Sequence, residues 1–177
     1  SEKIPFVTKE QLEDIAYVMQ RRFIYMTKNG IRETARRVNK AFSWNKGFKE
    51  YFAVKATPTP GILKILHEEG CGADCSSYTE LLMADAVGFK GDEIMFFVND
   101  TPAEDFQLAR KLNATINLDD ITHIDFLERV ADIPDTVAAA TIQVGIFRHC
   151  QQHYGQSGRR QSIGMTREQL TEAYKRL

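Results

Sequence analysis

From Glu50 onward the chain repeats one pattern, in which a short run of apolar and β-branched residues leads through a polar turn into a stretch with helical spacing of its apolar positions. The strand candidates begin near Tyr51, Gly72, Ile94 and Ala114, so they recur at intervals of roughly 20 residues, about one βα unit with short loops. The first, Tyr51 to Lys55, is almost continuously apolar until its lysine, as expected of a strand covered on both faces. A helix near Pro60 to Glu69 follows, with Ile62, Leu63, Ile65 and Leu66 inward and Gly70 as its stop. After Gly72 to Cys75, Ser77 and Glu80 have capping-box spacing and predict a helix carrying Leu81, Leu82, Ala84 and Val87, ended by Gly88. Ile94 to Val98 leads to Thr101, Pro102 and Glu104, a second predicted capping box. Ala114 to Asn117 leads through Asp119 and Asp120 into a helix with Ile121, Ile124, Phe126, Leu127 and Val130. Residues 1–49 form a lead-in segment with an amphipathic helix around Gly30 to Ala41.

Strands alternating with helices at this spacing predict an α/β fold with a parallel sheet, because each helix serves as the crossover between neighbouring strands. An open doubly wound sheet and part of a (β/α)8 barrel both fit. A complete barrel takes about 250 residues. The four to five units of residues 50–177 are therefore expected to be part of one.

Composition narrows the class. The chain has 177 residues, 43% of them apolar, enough for one sizeable core. Its 23 basic and 24 acidic residues nearly cancel, which points to neither a nucleic acid nor a membrane as a partner. The pairs Arg21-Arg22, Arg36-Arg37 and Arg159-Arg160 read as solvated surface. No window approaches the roughly 20 apolar residues of a membrane span, and Ser1 to Lys9 is too polar for a signal peptide, so a cytoplasmic protein is expected. Cys71, Cys75 and Cys150 are too few and odd in number for a disulfide framework. His67, Cys71 and Cys75, and separately His149, Cys150 and His153, raise a zinc site. Neither group has paired C-x-x-C spacing, and no metal is expected.

The chemistry centres on Lys55, in Phe52-Ala53-Val54-Lys55-Ala56, where a cationic side chain closes a strand otherwise fit for burial. Active sites of α/β folds lie at that end of the strands, and a partly desolvated lysine is a usable amine nucleophile toward a carbonyl compound. The competing reading is a lysine that snorkels to solvent as its strand ends. The stretch Tyr51-Phe52-Ala53-Val54-Lys55-Ala56, followed by Gly72-Ala73-Asp74 with Ser76, Ser77 and Glu80, resembles the alanine-racemase-like (fold type III) pyridoxal-phosphate (PLP) enzymes, specifically the diaminopimelate, ornithine and arginine decarboxylases. The similarity runs at least from Gly30 to Val137 and resumes at Gly164-Met165-Thr166-Arg167-Glu168.

The resemblance implies a PLP-binding barrel, of which residues 50–177 are the first part, with the rest of the barrel and a C-terminal β-domain absent. It implies that Lys55 holds the cofactor as a Schiff base, with Asp74 and Glu80 close by to help set its protonation. Read from the residues alone, Glu80 is the capping partner of Ser77, and Asp74 is a strand-end turn former. The implied activity is decarboxylation of an amino acid, with diaminopimelate going to L-lysine as the first expectation. Ornithine, arginine and carboxynorspermidine remain open, and racemization fits the Gly-Ala-Asp pattern less well. A homodimer is implied for the full-length protein, and this fragment by itself is expected to be poorly stable and inactive. A relative without turnover should have lost the lysine, which is present. A nucleotide-binding sheet should carry G-x-G-x-x-G after the first strand, where Ala56-Thr57-Pro58-Thr59-Pro60-Gly61 stands instead.

Two stretches depart from the family. It carries a segment like T-P-F-x-x-Y-D ahead of the position of Gly30, and one like R-Y-N-P-G, followed by Lys-aromatic-Gly-Met, after that of Val137; Ala16 to Lys28 and Ala138 to Ile163 stand in their place. Back-translation with free choice of synonymous codons explains both. Read from each third base, Tyr17 to Lys28 gives RYATPFHIYDE and Val137 to Gly145 gives CCRYNPGG; read from each second base, His149 to Ser162 gives IVNNIMDNPGDAK. Both stretches are therefore expected to be out-of-frame readings, in which His149, Cys150 and His153 have no selected role.

Overall fold

Among the described residues, the polar turns and apolar runs of the second half fold into five parallel strands, β1 (Tyr51–Ala53), β2 (Gly72–Cys75), β3 (Ile94–Phe97), β4 (Thr115–Asn117) and β5 (Val137–Ala138), paired in the order β1-β2-β3-β4-β5. A computed structural model describes residues 5–20, 24–98, 101–134, 137–138 and 165–177. Strand order decides between the two architectures. A doubly wound sheet reverses direction at a switch point, whereas strands laid down in simple sequence, each followed by a helix, build a barrel wall. The sheet is the wall of a (β/α)8-type barrel.

Its helices are α3 (Pro60–Glu68), α4 (Tyr78–Val87), α5 (Ala103–Lys111), α6 (Thr122–Ala131) and α7 (Arg167–Arg176). Pro60 opens α3 where its missing N–H is harmless. Ser77 caps α4, and Gly88 ends it with φ +113°, a left-handed conformation that favours glycine. Helix α5 differs from expectation. It begins at Ala103 with Pro102 as its cap and no side-chain cap bond, so the box predicted from Thr101 and Glu104 is not how it opens.

The register shows which sheet face meets the helices. Ala73, Cys75, Ile94, Phe96 and Ile116 are fully buried and join Leu63, Leu81, Phe89, Phe106, Ile124 and Leu127 in one core. Ala53, Asp74, Met95 and Thr115, level with one another on the alternate face, are all only partly buried. That face is the barrel lumen. The expectation that β1 is covered on both faces therefore fails: its three residues are half-buried, because it pairs only with β2 and its lumen side is open.

At the opposite end of the strands, Tyr51 crosses over Gly72 and its hydroxyl donates to the Asp92 carbonyl at 2.5 Å. A Cβ on Gly72 would lie 2.5 Å from the Tyr51 ring and 2.7 Å from the Glu93 carbonyl oxygen, so only glycine fits.

Residues Ser1–Phe48 form a separate unit. Helix α1 (Lys9–Met19) opens with a reciprocal box between Thr8 and Gln11, and α2 (Lys28–Ala41) with Thr27 as its cap. Arg36 and Arg37 lie on the exposed side of α2, while Arg21-Arg22 and Arg159-Arg160 fall outside the described residues. Burial in this unit is weak: α1 has no buried residue, and Tyr17, Val18 and Ile24 are 80%, 77% and 85% exposed. No helix among the described residues is long and apolar enough to cross a membrane.

Candidate active site at the C-terminal ends of the strands

Lys55 lies just past the ladder of β1. Pairing stops at Ala53, and Val54–Ala56 form a single 3-10 turn closed by Thr57 N–H donating to the Val54 carbonyl at 3.2 Å. Val54 is fully buried and anchors the turn, which leaves Lys55 exposed. This corrects the expectation of a partly desolvated lysine within the strand, since the turn lifts it out of the ladder on the open side of the sheet.

Asp74 sits next door on β2, paired with Ala53, on the lumen face. Its Oδ1 has no exposed surface and no hydrogen-bond partner. Burial pushes the Asp74 carboxyl above the usual carboxylate range; the charge of Lys55 works against that shift, and Glu80 adds to it. The three predicted residues are thus electrostatic neighbours.

Glu80 is held by the turn that joins β2 to α4. The Ser76 N–H donates to Glu80 Oε2 at 2.7 Å, and the Glu80 N–H donates to Ser77 Oγ at 3.4 Å. The predicted capping box is therefore half present: Ser77 caps as expected, while the carboxylate takes the amide one residue earlier. Both of its tasks, bracing the turn and facing Asp74, are compatible.

Of the described cysteines, neither Cys71 nor Cys75 offers a reactive thiol here. Cys75 points to the helix side, where burial, with Glu80 and then Asp74 adding, pushes its thiol up to about 12, far from a reactive thiolate. Cys71 is also buried with a raised pKa, burial being the main cause. His67 instead meets Glu93, Nε2 to Oε2 at 3.3 Å, and rests on the Phe89 ring at 4.4 Å between centroids. Among the described residues no three potential ligands come together for a metal, and His149, Cys150 and His153 lie outside them.

Two buried groups at the same end of the sheet were not singled out from the sequence. Asn117, the last residue of β4, and Asp119 just beyond it are each 9% exposed, and His123 Nδ1 approaches Asp119 Oδ1 at 3.0 Å. Adjacent acids after an apolar strand, with a histidine four residues on, are the signal that could have found the pair.

A lysine, a half-buried acid and a braced glutamate thus stand together at the C-terminal ends of parallel barrel strands, the end at which barrel enzymes carry their active sites. Residues 28–177 match the pyridoxal-binding domain of the pyridoxal-dependent decarboxylases, and the chain belongs to that family. It is 34% identical over 164 residues to protein TabA of Pseudomonas amygdali pv. tabaci, covering 93% of this chain and 38% of that protein. It is 33% identical over 102 residues to the diaminopimelate decarboxylase of Methanothermobacter thermautotrophicus, covering 57% of this chain and 24% of that enzyme. In fold it resembles the crystal structure of diaminopimelate decarboxylase from M. jannaschii in complex with L-lysine, with a TM-score of 0.70 at 23% identity over 85% of this chain and 37% of that one. The chain thus spans well under half the length of these relatives.

Proposed function

We propose that the protein to which this chain belongs decarboxylates an amino acid with PLP held on Lys55, and that the substrate is meso-diaminopimelate, giving L-lysine. The observation that carries the reading is the Asp74 carboxylate, whose buried Oδ1 lacks a donor beside an exposed lysine amine at the barrel mouth. A site with an amine free to condense and a buried acceptor without a donor fits a carbonyl cofactor that carries its own polar groups.

Bound PLP supplies an electron-accepting ring for the pair left behind when the carboxylate departs as carbon dioxide. The residues of this chain supply the rest. Lys55 is the residue that would hold the cofactor, through its side-chain amine. Asp74, shifted toward its protonated form by burial, can hold a proton at Oδ1 or return it to the Lys55 nitrogen. Glu80, fixed by the Ser76 amide, holds its carboxyl group at a set place beside Asp74. Diaminopimelate is favoured by the names of the relatives, several of which are diaminopimelate decarboxylases. We further place the protein in the cytoplasm as a homodimer.

The test uses the full-length protein. Incubation with PLP and reduction with borohydride should leave one pyridoxyl-modified peptide, the one containing Lys55, and Lys55→Ala should abolish it. Carbon dioxide release is then compared for diaminopimelate, ornithine, arginine and carboxynorspermidine. Modification of a different lysine refutes the site, and turnover of one of the other three alone refutes the substrate.

A further inference from the structure

We infer, resting on the PLP reading of Lys55, Asp74 and Glu80, that Asp105 of α5 is a positioning residue for the site: through the first turn of α4 it sets where the Glu80 carboxyl group stands beside Asp74. Asp105 is 7% exposed, and its Oδ2 accepts from the Tyr78 N–H, the first amide of α4, at 3.1 Å. The first amides of a helix have no partner within it and ordinarily turn to a cap side chain or to water. Here a buried carboxylate from the neighbouring helix takes one of them, and the helix dipole favours its charge there. The sequence explains why Asp105 is available. It is the third residue of α5, the position from which an acidic side chain closes a capping box by reaching back to the N–H of the cap residue. That cap is Pro102, which has no N–H, so the box cannot close and the carboxylate reaches α4 instead.

What Asp105 holds is the segment on which Glu80 depends. Tyr78 lies between Ser76, whose N–H donates to Glu80 Oε2 at 2.7 Å, and Glu80 itself, whose N–H donates to Ser77 Oγ at 3.4 Å. Both bonds lie within residues 76–80 and fix Glu80 relative to its own turn. The bond from Asp105 fixes that turn relative to α5, which packs on α4. Without it, the turn and Glu80 can shift together against Asp74, whose place is set by the pairing of β2 with β1 and β3. The electrostatics agree: burial raises the Asp105 carboxyl, the Tyr78 amide works against that shift, and Glu104 adds to it.

Two variants of the full-length protein break this bond from opposite sides. Asp105→Ala removes the acceptor. Tyr78→Pro removes the donor at the first helical position, where proline is well accepted, and the Tyr78 side chain is already 41% exposed. Each should speed hydrogen exchange of the Ser76 amide about tenfold at constant pH, while the amides of β3 keep their protection. Each should also weaken PLP binding about fivefold to tenfold, measured by fluorescence titration. Asp105→Asn, whose amide oxygen can still accept the Tyr78 N–H, should keep Ser76 exchange and PLP affinity near the wild-type values. In a Glu80→Ala background, Asp105→Ala should cost no further PLP affinity, because the group it positions is gone; a purely structural role would cost the same in both backgrounds. Ser76 exchange unchanged in Asp105→Ala and Tyr78→Pro, or an equal PLP loss with and without Glu80, would overturn this role for Asp105. The exchange readings need no cofactor: failure of the wild-type protein to take PLP on Lys55 sinks the PLP reading alone, and Ser76 exchange still decides whether Asp105 holds Glu80 in place.

Discussion

At the residue scale, Asp74 and Gly72 show how one strand serves two ends of the sheet. Asp74 has a folded-state pKa raised chiefly by burial. The folded protein therefore holds that proton more tightly than the unfolded chain, so stability is fully present below the ordinary carboxylate value near pH 4 and falls as pH rises through the elevated folded value. Asp74→Asn should accordingly raise the urea midpoint at pH 7 and leave it unchanged at pH 3; a lower midpoint at pH 7 would mean that the carboxylate is compensated after all. At the other end of β2, Gly72→Ala drives a methyl into the Tyr51 ring and the Glu93 carbonyl. It should destabilize by about 1–3 kcal/mol, as overpacked positions do, in equilibrium unfolding. Lys55 and Asp74 were legible because a charged residue is conspicuous in an apolar or glycine-alanine strand. The exposure of Lys55 was not, since the 3-10 turn that lifts it out depends on Val54 finding its place in the core.

At the scale of elements, the turn between β2 and α4 carries both a helix cap and Glu80, a proposed site residue. Ser77→Ala removes the cap of α4, and Glu80→Ala removes the acceptor of the Ser76 amide. Each should lower stability by about 1 kcal/mol, measured by urea unfolding. If Glu80 also acts on the cofactor, Glu80→Ala alone should weaken PLP binding, measured by fluorescence titration. Equal PLP affinity in the two variants would confine Glu80 to capping. The four βα units could be read from the sequence because strand and helix differ in period and because Gly70 and Gly88 mark helix ends. Strand order could not, since periodicity says that a strand is buried and not which strand lies beside it. The start of α5 also escaped: Thr101, Pro102 and Glu104 satisfy the capping-box pattern, but the helix opens one residue later, and Asp105 turns away to accept the Tyr78 N–H at 3.1 Å, tying α5 to α4.

At the scale of the whole molecule, sequence and structure agree where the family resemblance is continuous and part company where it breaks. Residues 49–98 and 101–131 build a core in which Phe89, Phe96 and Phe106 are fully buried. In the departing stretch from Ala16 to Lys28, apolar residues find no such place: Tyr17, Val18 and Ile24 are exposed, and Tyr25 and Met26 are 42% and 46% exposed. Selected sequences place most of their large apolar side chains where burial rewards them, whereas a stretch translated in the wrong frame inherits apolar residues at positions no fold has chosen. Most of Ala138 to Ile163 lies outside the described residues, so there the proposal of an altered frame rests on codon arithmetic. That arithmetic makes a specific prediction. The coding DNA should hold single-base insertions or deletions at both ends of each stretch and one more inside the second, between Gly145 and His149, where the frame changes again, and correcting them should yield TPFHIYDE before Gly30 and RYNPGG after Val137. The frame-corrected chain should then have a higher urea midpoint than the uncorrected one, because its new apolar positions are matched to the fold. Coding DNA that reads through both stretches in frame, without nearby insertions or deletions, would leave these residues as the protein's own and their exposure as a property to be explained.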